Sequence, residues 1–284
     1  MSLPAAFRHR DLEFLVEVGE TAAAEILLIY HDNFTVEYKD GYEPVTLADR
    51  QANRLISRLL AERFPEDGLL TEEEGVQAPS APASGRVWFV DPIDGTKEFI
   101  RKNGEFAIQI GAARDGKMEI GLVLQPTTGD IWLGAIGEGC RHRSSRNEWS
   151  DVRIVAPAPE TGVIVAMSRS HPSGLAHRTA EALGMAGTFI HGSVGLKLMG
   201  IANGQGHFYL NDSNSTKAWD IASPEILFTE AGGIVTDLLG QRFVYSASDP
   251  FHHNGLLASC DAKLHQRILD LVAKNSSVPP RMRR

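Results

Sequence analysis

The stretch Val87 to Phe99, Val-Trp-Phe-Val-Asp-Pro-Ile-Asp-Gly-Thr-Lys-Glu-Phe, constrains this chain more than any other. The apolar run Val87–Val90 predicts a buried strand. It ends at two carboxylates, Asp91 and Asp94, and then at Gly95-Thr96, which opens a helix. That order sets two hard oxygen ligands beside a helix N-terminus, where backbone N–H groups favour an anion such as phosphate. Metal-assisted phosphoryl chemistry is one reading. Plain turn chemistry is the other, because Pro presets φ, Gly supplies φ > 0 and Asp bonds its own backbone. This segment alone leaves both open.

The 284 residues, 43% hydrophobic and 23% charged, suit a soluble globular protein of two domains or one large one. A net charge of −8 argues against nucleic-acid polymers and anionic membranes as partners. A small anionic substrate stays admissible, since bound cations invert a local field. Cys140 and Cys260 are too few for a disulfide framework. No signal peptide or run of ~20 apolar residues is present, so a cytoplasmic protein is expected.

Helical spacing of Leu12, Leu15, Val16, Ala22, Ala23, Ile26 and Leu27 predicts a helix over 11–30, and a second spans Leu47–Arg63. Residues 31–46 read as a loop or small hairpin, and 76–86 as a mobile connector. Strands over 106–113, 119–125 and 130–136 form an antiparallel meander, followed by a polar, irregular stretch over 139–150. Ala156-Pro157-Ala158-Pro159 marks a boundary between an N-terminal α+β subdomain (1–157) and a C-terminal α/β subdomain (158–274). In the second, strands at 163–167, 207–210, 234–237 and 256–259 alternate with helices at 174–183, 196–202, 219–231 and 261–274. The tail 275–284 reads as disordered.

Three further acidic positions have bland readings of their own. Thr46 or Asp49 caps a helix. Glu72-Glu73-Glu74 is a solvated charge run. Asp220 is a first-turn acid favoured by the helix dipole. Were Asp49, Glu72, Asp91, Asp94 and Asp220 to converge in the fold, the bland readings would weaken together. At an effective dielectric of about 20, two carboxylates ~4 Å apart repel by roughly 4 kcal/mol. Only cations or strongly raised pKa values make such a cluster tolerable, and an all-oxygen set points to Mg²⁺.

The pieces also occur in a familiar order: an Asp, a later Glu-Glu, then Asp-Pro-Ile-Asp-Gly-Thr, then Trp219-Asp220 with Gly232-Gly233 beyond it. This pattern resembles the lithium-sensitive, Mg²⁺-dependent phosphatase superfamily of the inositol monophosphatases. Lys97-Glu98-Phe99-Ile100, Asn103-Gly104-Glu105-Phe106, Ser168-Arg169-Ser170-His171 and Lys197 make it most similar to the bacterial 3′(2′),5′-bisphosphate nucleotidases. The resemblance implies a layered αβαβα fold and two or three Mg²⁺ ions. Glu72, Asp91 and the Ile93 carbonyl would hold the first, which binds the attacking water. Asp91, Asp94 and Asp220 would hold the second, at the leaving-group oxygen, with Asp49 and Asp94 adding metal or water contacts.

In the same pattern Thr96, bonded towards Asp49, orients and helps deprotonate the water, so Asp49, Glu72 and Thr96 are the catalytic set. Asp94, Gly95, Thr96 and Asp220 meet the substrate, whose phosphate rests on the Gly95 and Thr96 N–H groups. His171, Lys197, Ser193 and Asn211 are the further recognition residues. Water attacks in line without a covalent intermediate, lithium inhibits, and a homodimer is common among such proteins. Glu98 and Glu105 face the site or merely solvent, Trp219 is core, and His252-His253 is surface.

The implied reaction is removal of the 3′-phosphate of adenosine 3′,5′-bisphosphate. Two departures leave the substrate open. Phe208-Tyr209-Leu210-Asn211-Asp212 lacks the Arg that such nucleotidases commonly place there, and Ser193-Val194-Gly195 is monophosphatase-like. The alternatives are an inositol-phosphate or histidinol-phosphate monophosphatase, and a non-catalytic metal-binding protein on the same scaffold.

Overall fold

The computed structural model describes residues 11–39, 43–76, 82, 84–145, 148–156, 162–213 and 216–275. Helix α1 (Leu12–His31) leads through the hairpin of β1 (Val36–Lys39) and β2 (Glu43–Thr46) into α2 (Leu47–Arg63). Strands β3 (Gly68–Thr71), β4 (Gly75–Val76) and β5 (Arg86–Asp94) precede the one-turn helix α3 (Thr96–Ile100). The meander β6 (Ala107–Arg114), β7 (Lys117–Gln125), β8 (Asp130–Ala135), β9 (Gly139–Arg143) and β10 (Trp149–Val152) completes the first half. The second half runs β11 (Val163–Ser168), α4 (Gly174–Ala182), β12 (Met185–His191), α5 (Val194–Ala202) and β13 (Phe208–Asn211). It ends with α6 (Ala218–Glu230), β14 (Ile234–Thr236), β15 (Leu256–Ser259) and α7 (Ala262–Asn275).

One sheet orders its strands β10-β9-β8-β7-β6-β5-β3-β4 and is antiparallel except where β3 runs parallel to β5. The other is β12-β11-β13-β15-β14, with β11 parallel to both of its neighbours. Helices α1 and α2 cover one face of the larger sheet, burying Leu12, Leu15, Ile26, Ile56 and Leu60 against Trp88, Val90, Ile110 and Leu122. Each such side chain contributes roughly 1.5–3 kcal/mol. The opposite face meets α5 and α6, which in turn touch the smaller sheet, while α4 and α7 pack together beyond it. The result is the layered αβαβα arrangement.

Helix α6 lies unusually close to the larger sheet, and the reason is a row of glycines. Gly111, Gly121 and Gly134 are register partners across β6, β7 and β8. A Cβ at Gly121 would stand 2.6 Å from Ile226 Cγ2 and 2.9 Å from the Ser223 carbonyl oxygen. One at Gly111 would stand 3.0 Å from the Ser223 nitrogen. The Ser223 hydroxyl then donates to the Leu122 carbonyl at 2.6 Å, pinning the helix to the strand.

Several expectations need correction. Within 139–150, Gly139–Arg143 form β9 and Trp149 opens β10 where an irregular stretch was expected, while residues 146 and 147 lie outside the described residues. The strand pattern is disguised because His142 stacks on Trp132 (4.6 Å, 10° between planes) and buried Arg143 lies over Trp149 and pairs with Glu20. Strand β12 is absent from the sequence reading. It is an edge strand whose residues alternate between half-buried and exposed, so it lacks an apolar run. His252 is buried against Phe243 (4.4 Å between rings), while His253 is exposed. Trp219 is core, as expected. The connector residues 77–81 and 83, the boundary residues 157–159 and the tail beyond Asn275 lie outside the described residues. Both cysteines are free and buried. Among the described residues no helix is long and apolar enough to cross a membrane.

Candidate active site

Asp91 and Asp94 stand three apart in a strand whose faces alternate every residue, so an unbroken strand would point them to opposite sides. The pairing of β5 with β6 resolves this. Asp91 opposes Gln109 and Asp94 opposes Ala107, so β5 carries one extra residue at Pro92-Ile93. This bulge restores both acids to one face, the face shared with α5 and α6, while Ile93 turns into the α1/α2 layer. Proline, with no N–H to donate, suits such a bulge. Glu72 joins them because its N–H donates to the Val90 carbonyl (3.1 Å), prolonging the parallel β3–β5 ladder by one residue.

Asp49 and Asp220 arrive from two helices, each as the third residue of its first turn. Asp49 Oδ2 accepts from the Thr46 N–H (2.8 Å) and hydroxyl (2.6 Å). Asp220 Oδ2 accepts from the Lys217 N–H (2.7 Å). Thr46 is therefore the N-cap of α2, with Asp49 closing its capping box, and Asp220 is a first-turn acid of α6 as expected. Asp49 Oδ1 accepts from the Thr96 hydroxyl at 3.1 Å, and the same hydroxyl lies 3.3 Å from the Ile93 carbonyl. Gly95 opens α3 at φ +105°, a conformation that L side chains rarely adopt. Any Cβ there would stand 3.1 Å from the Glu105 carbonyl oxygen.

These groups border a cleft of about 260 Å³ lined in part by Glu72, Asp94, Gly95, Thr96, Lys97, Glu98, His171, Lys197, Tyr209, Asn211, Lys217 and Asp220. Burial, then the charges of Glu72, Asp94 and Asp220, hold the Asp91 carboxyl well above the usual range. Burial also raises Asp94, opposed by Lys197, the Ser193 hydroxyl and the Gly195 N–H. Asp49 is pushed up to about 6, chiefly by burial. Lys197 is buried, donates to the Gly192 (2.7 Å) and His191 (3.3 Å) carbonyls, and is lowered to about 8 by desolvation against the pull of Asp94.

Ser193 stands behind the cleft, not in it. It is wholly buried, its hydroxyl donating to Asp94 Oδ2 (2.6 Å) and accepting from the Leu196 N–H (3.0 Å) at the start of α5. Asn211 lines the cleft but is tied into its own loop through Thr216 and Ser213. Glu98 is buried and accepts from Ser170 (2.6 Å), whereas Glu105 clamps Arg169 through both carboxylate oxygens. Sequence reasoning missed Gln109, whose amide donates to Asp94. A lone Gln amid Ala107, Ile108 and Ile110 was the available signal. Tyr209, beneath the Lys197 ammonium at 5.0 Å, had none.

The donor set, all oxygen and acid-rich with one buried lysine beside it, is of the chemistry that suits a hard divalent cation. Among the described residues no three His, Cys, Asp or Glu side chains are drawn together as a finished metal cage.

The sequence model of the Inositol monophosphatase family matches residues 8–277. The chain belongs to that family. As an inositol monophosphatase family member it is a phosphatase, and the family is Mg²⁺-dependent in general. It is 30% identical over 246 residues, 86% of its length and 97% of the relative's, to the 3′(2′),5′-bisphosphate nucleotidase CysQ of Salmonella typhimurium. It is 30% identical over 250 residues, 87% of this chain and 99% of the relative, to the protein of the same name from Escherichia coli K12. The extragenic suppressor protein suhB from Bartonella henselae shares the fold. It superposes at a TM-score of 0.77 with 24% identity, over 94% of this chain and 98% of that one.

Proposed function

We propose that this phosphatase removes the 3′-phosphate of adenosine 3′,5′-bisphosphate, yielding AMP and phosphate. The observation that carries the hydrolytic mechanism is the Thr96–Asp49 hydrogen bond at the mouth of α3, beside the Glu72–Asp91–Asp94–Asp220 wall. The nucleotide substrate is supported by the activity for which the 30%-identical relatives are named. Glu72, Asp91, the Ile93 carbonyl, Asp94 and Asp220 would hold two or three Mg²⁺ ions. Bound there, Mg²⁺ supplies Lewis-acid polarisation of the phosphoryl group and a lowered pKa for water.

The chain's own residues do the rest. The Thr96 hydroxyl donates to Asp49, which leaves its lone pairs facing the cleft to accept from and aim a water molecule. Asp49, raised to about 6, is a base poised near neutrality for the proton that water loses. Gly95 and Thr96 N–H groups receive the phosphate oxygens, and Lys197 offsets the negative charge behind Asp94. Water attacks phosphorus as the ester oxygen departs in line, with no covalent enzyme intermediate. Lithium competes for the cation sites and inhibits.

The test is phosphate release, with Mg²⁺, from adenosine 3′,5′-bisphosphate, inositol 1-phosphate and histidinol phosphate side by side. The bisphosphate should lead the panel, and Asp94→Asn should abolish its turnover while circular dichroism shows an intact fold. Inositol 1-phosphate outpacing the bisphosphate by orders of magnitude would transfer the assignment to a monophosphatase. Full turnover by Asp94→Asn would remove the metal-assisted mechanism.

A further inference from the structure

We propose that Gln109 is a positioning residue for the cation site: its amide holds one oxygen of Asp94 from behind, so that the carboxylate offers the other to a divalent cation. The proposal rests on the reading of the cleft as a metal-dependent phosphatase site. It assigns a residue outside the cleft that sets how tightly the cation is held.

Gln109 is at odds with its strand. It is wholly buried in β6 between Ile108 and Ile110, where an aliphatic side chain would pack without polar cost. In the ladder it opposes Asp91, so it points to the same face of the sheet as that acid. There it lies against the start of α5, since a Cβ at Gly195 would stand 3.3 Å from Gln109 Cδ and 3.4 Å from Nε2. The Nε2 group donates to Asp94 Oδ2. The Oε1 atom is buried and has no hydrogen-bond partner among the described residues. Leaving a buried acceptor unpaired is costly. Turning the amide over would set Oε1 against the Asp94 oxygen, so Asp94 selects the orientation that leaves Oε1 unpaired.

Three donors then converge on Asp94 Oδ2. They are the Gln109 amide from the sheet, the Ser193 hydroxyl (2.6 Å) and the Gly195 N–H (3.0 Å) at the start of α5. A carboxylate oxygen has about two lone-pair directions, so these donors fill it. None of the three bonds Oδ1, and Asp94 lines the cleft. Ser193 and Gly195 fix the carboxylate to the helix layer, whereas Gln109 fixes it to the strand beside Asp91. The amide therefore sets the rotation of Asp94 relative to the acid with which it shares a face. Groups that hold a metal ligand from behind typically change metal affinity by 10- to 100-fold when removed.

The test titrates Mg²⁺ into substrate-free, full-length wild type and Gln109→Met by calorimetry, and records thermal midpoints with and without Mg²⁺. Methionine keeps the bulk of the side chain while removing both the donor and the unpaired carbonyl. Mg²⁺ should bind roughly tenfold more weakly, while the metal-free midpoint stays level or rises. Turnover should need roughly tenfold more Mg²⁺, with substrate KM unchanged once Mg²⁺ is saturating. Gln109→Leu repeats the measurement in a second side chain, should the methionine variant fail to fold. Wild-type Mg²⁺ affinity in either folded variant overturns the positioning role and leaves the phosphatase reading standing. So does a fall in the metal-free midpoint with Mg²⁺ affinity intact, the mark of a packing residue. Absence of Mg²⁺ uptake by wild type overturns the cation site itself. Because the metal is titrated without substrate, a different preferred ester would leave the result untouched.

Discussion

The two ends of strand β5 are equally buried and electrostatically opposite. At its start Arg86, 6% exposed, donates to Asp11 (2.9 Å) and Asp67 (2.5 Å) while lying over Phe64 and Trp88, and the Trp88 indole N–H also donates to Asp67 (2.8 Å). At its end Asp91 and Asp94 meet further acids, and Lys197 is the buried cation that answers them. Burying charge is costly at both ends. At the first end the partners are all protein groups, so the cluster is complete and serves the fold. At the second the carboxylates face one another across a cleft, and their pKa values are raised. The partners, more than burial itself, separate the two ends: an arginine and an indole N–H donating to carboxylates at one, carboxylates set against carboxylates at the other.

Asp91→Asn should show the contrast most strongly. Turnover should fall on the order of a thousandfold, the loss of about 4 kcal/mol of transition-state stabilisation. The thermal midpoint of the metal-free protein should rise, because one of several repelling charges is gone. Steady-state kinetics and calorimetry together check this, and a stability loss instead would erase the distinction between the two ends. Arg86→Met should do the reverse. It strands Asp11 and Asp67, so urea unfolding should report a loss of about 3–5 kcal/mol, with kcat per folded molecule preserved.

A smaller effect sharpens the comparison through pH. The Asp49 carboxyl, pushed up to about 6, holds its proton more tightly when folded than when unfolded. Its stabilising share is therefore present below the unfolded value of roughly 3.9 and is lost as pH climbs through about 6. Metal-free protein should weaken over that interval while turnover, which needs the ionised base, rises across it. Denaturant titrations at stepped pH measure the slope, which Asp49→Asn should flatten.

Most of the helices were legible because periodicity and caps agree. α2 runs over the expected Leu47–Arg63, with Thr46 capping it. The acids were legible as residue types in a spacing, but their convergence was not. The bulge at Pro92-Ile93 is a property of pairing with β6; Pro92 permits it, but which side chains it brings to one face is set by the register. Strands β9 and β10 escaped because stacked and ion-paired polar side chains fill them, and edge strand β12 because an edge has no need of a continuous apolar run. Ser193 escaped for a different reason: a serine before a helix looks alike whether its hydroxyl faces a ligand or, as here, backs Asp94.

The glycine row beneath α6 has a consequence for the chemistry. Asp91 and Asp94 belong to the sheet and Asp220 to the helix, so their spacing is the thickness of one interlayer gap. That thickness is set by three missing side chains, at Gly111, Gly121 and Gly134. A single methyl group at the middle position acts as a shim. By lifting the helix it should draw Asp220 away from Asp91, whose carboxyl its charge now raises, though no atom in the cleft is altered.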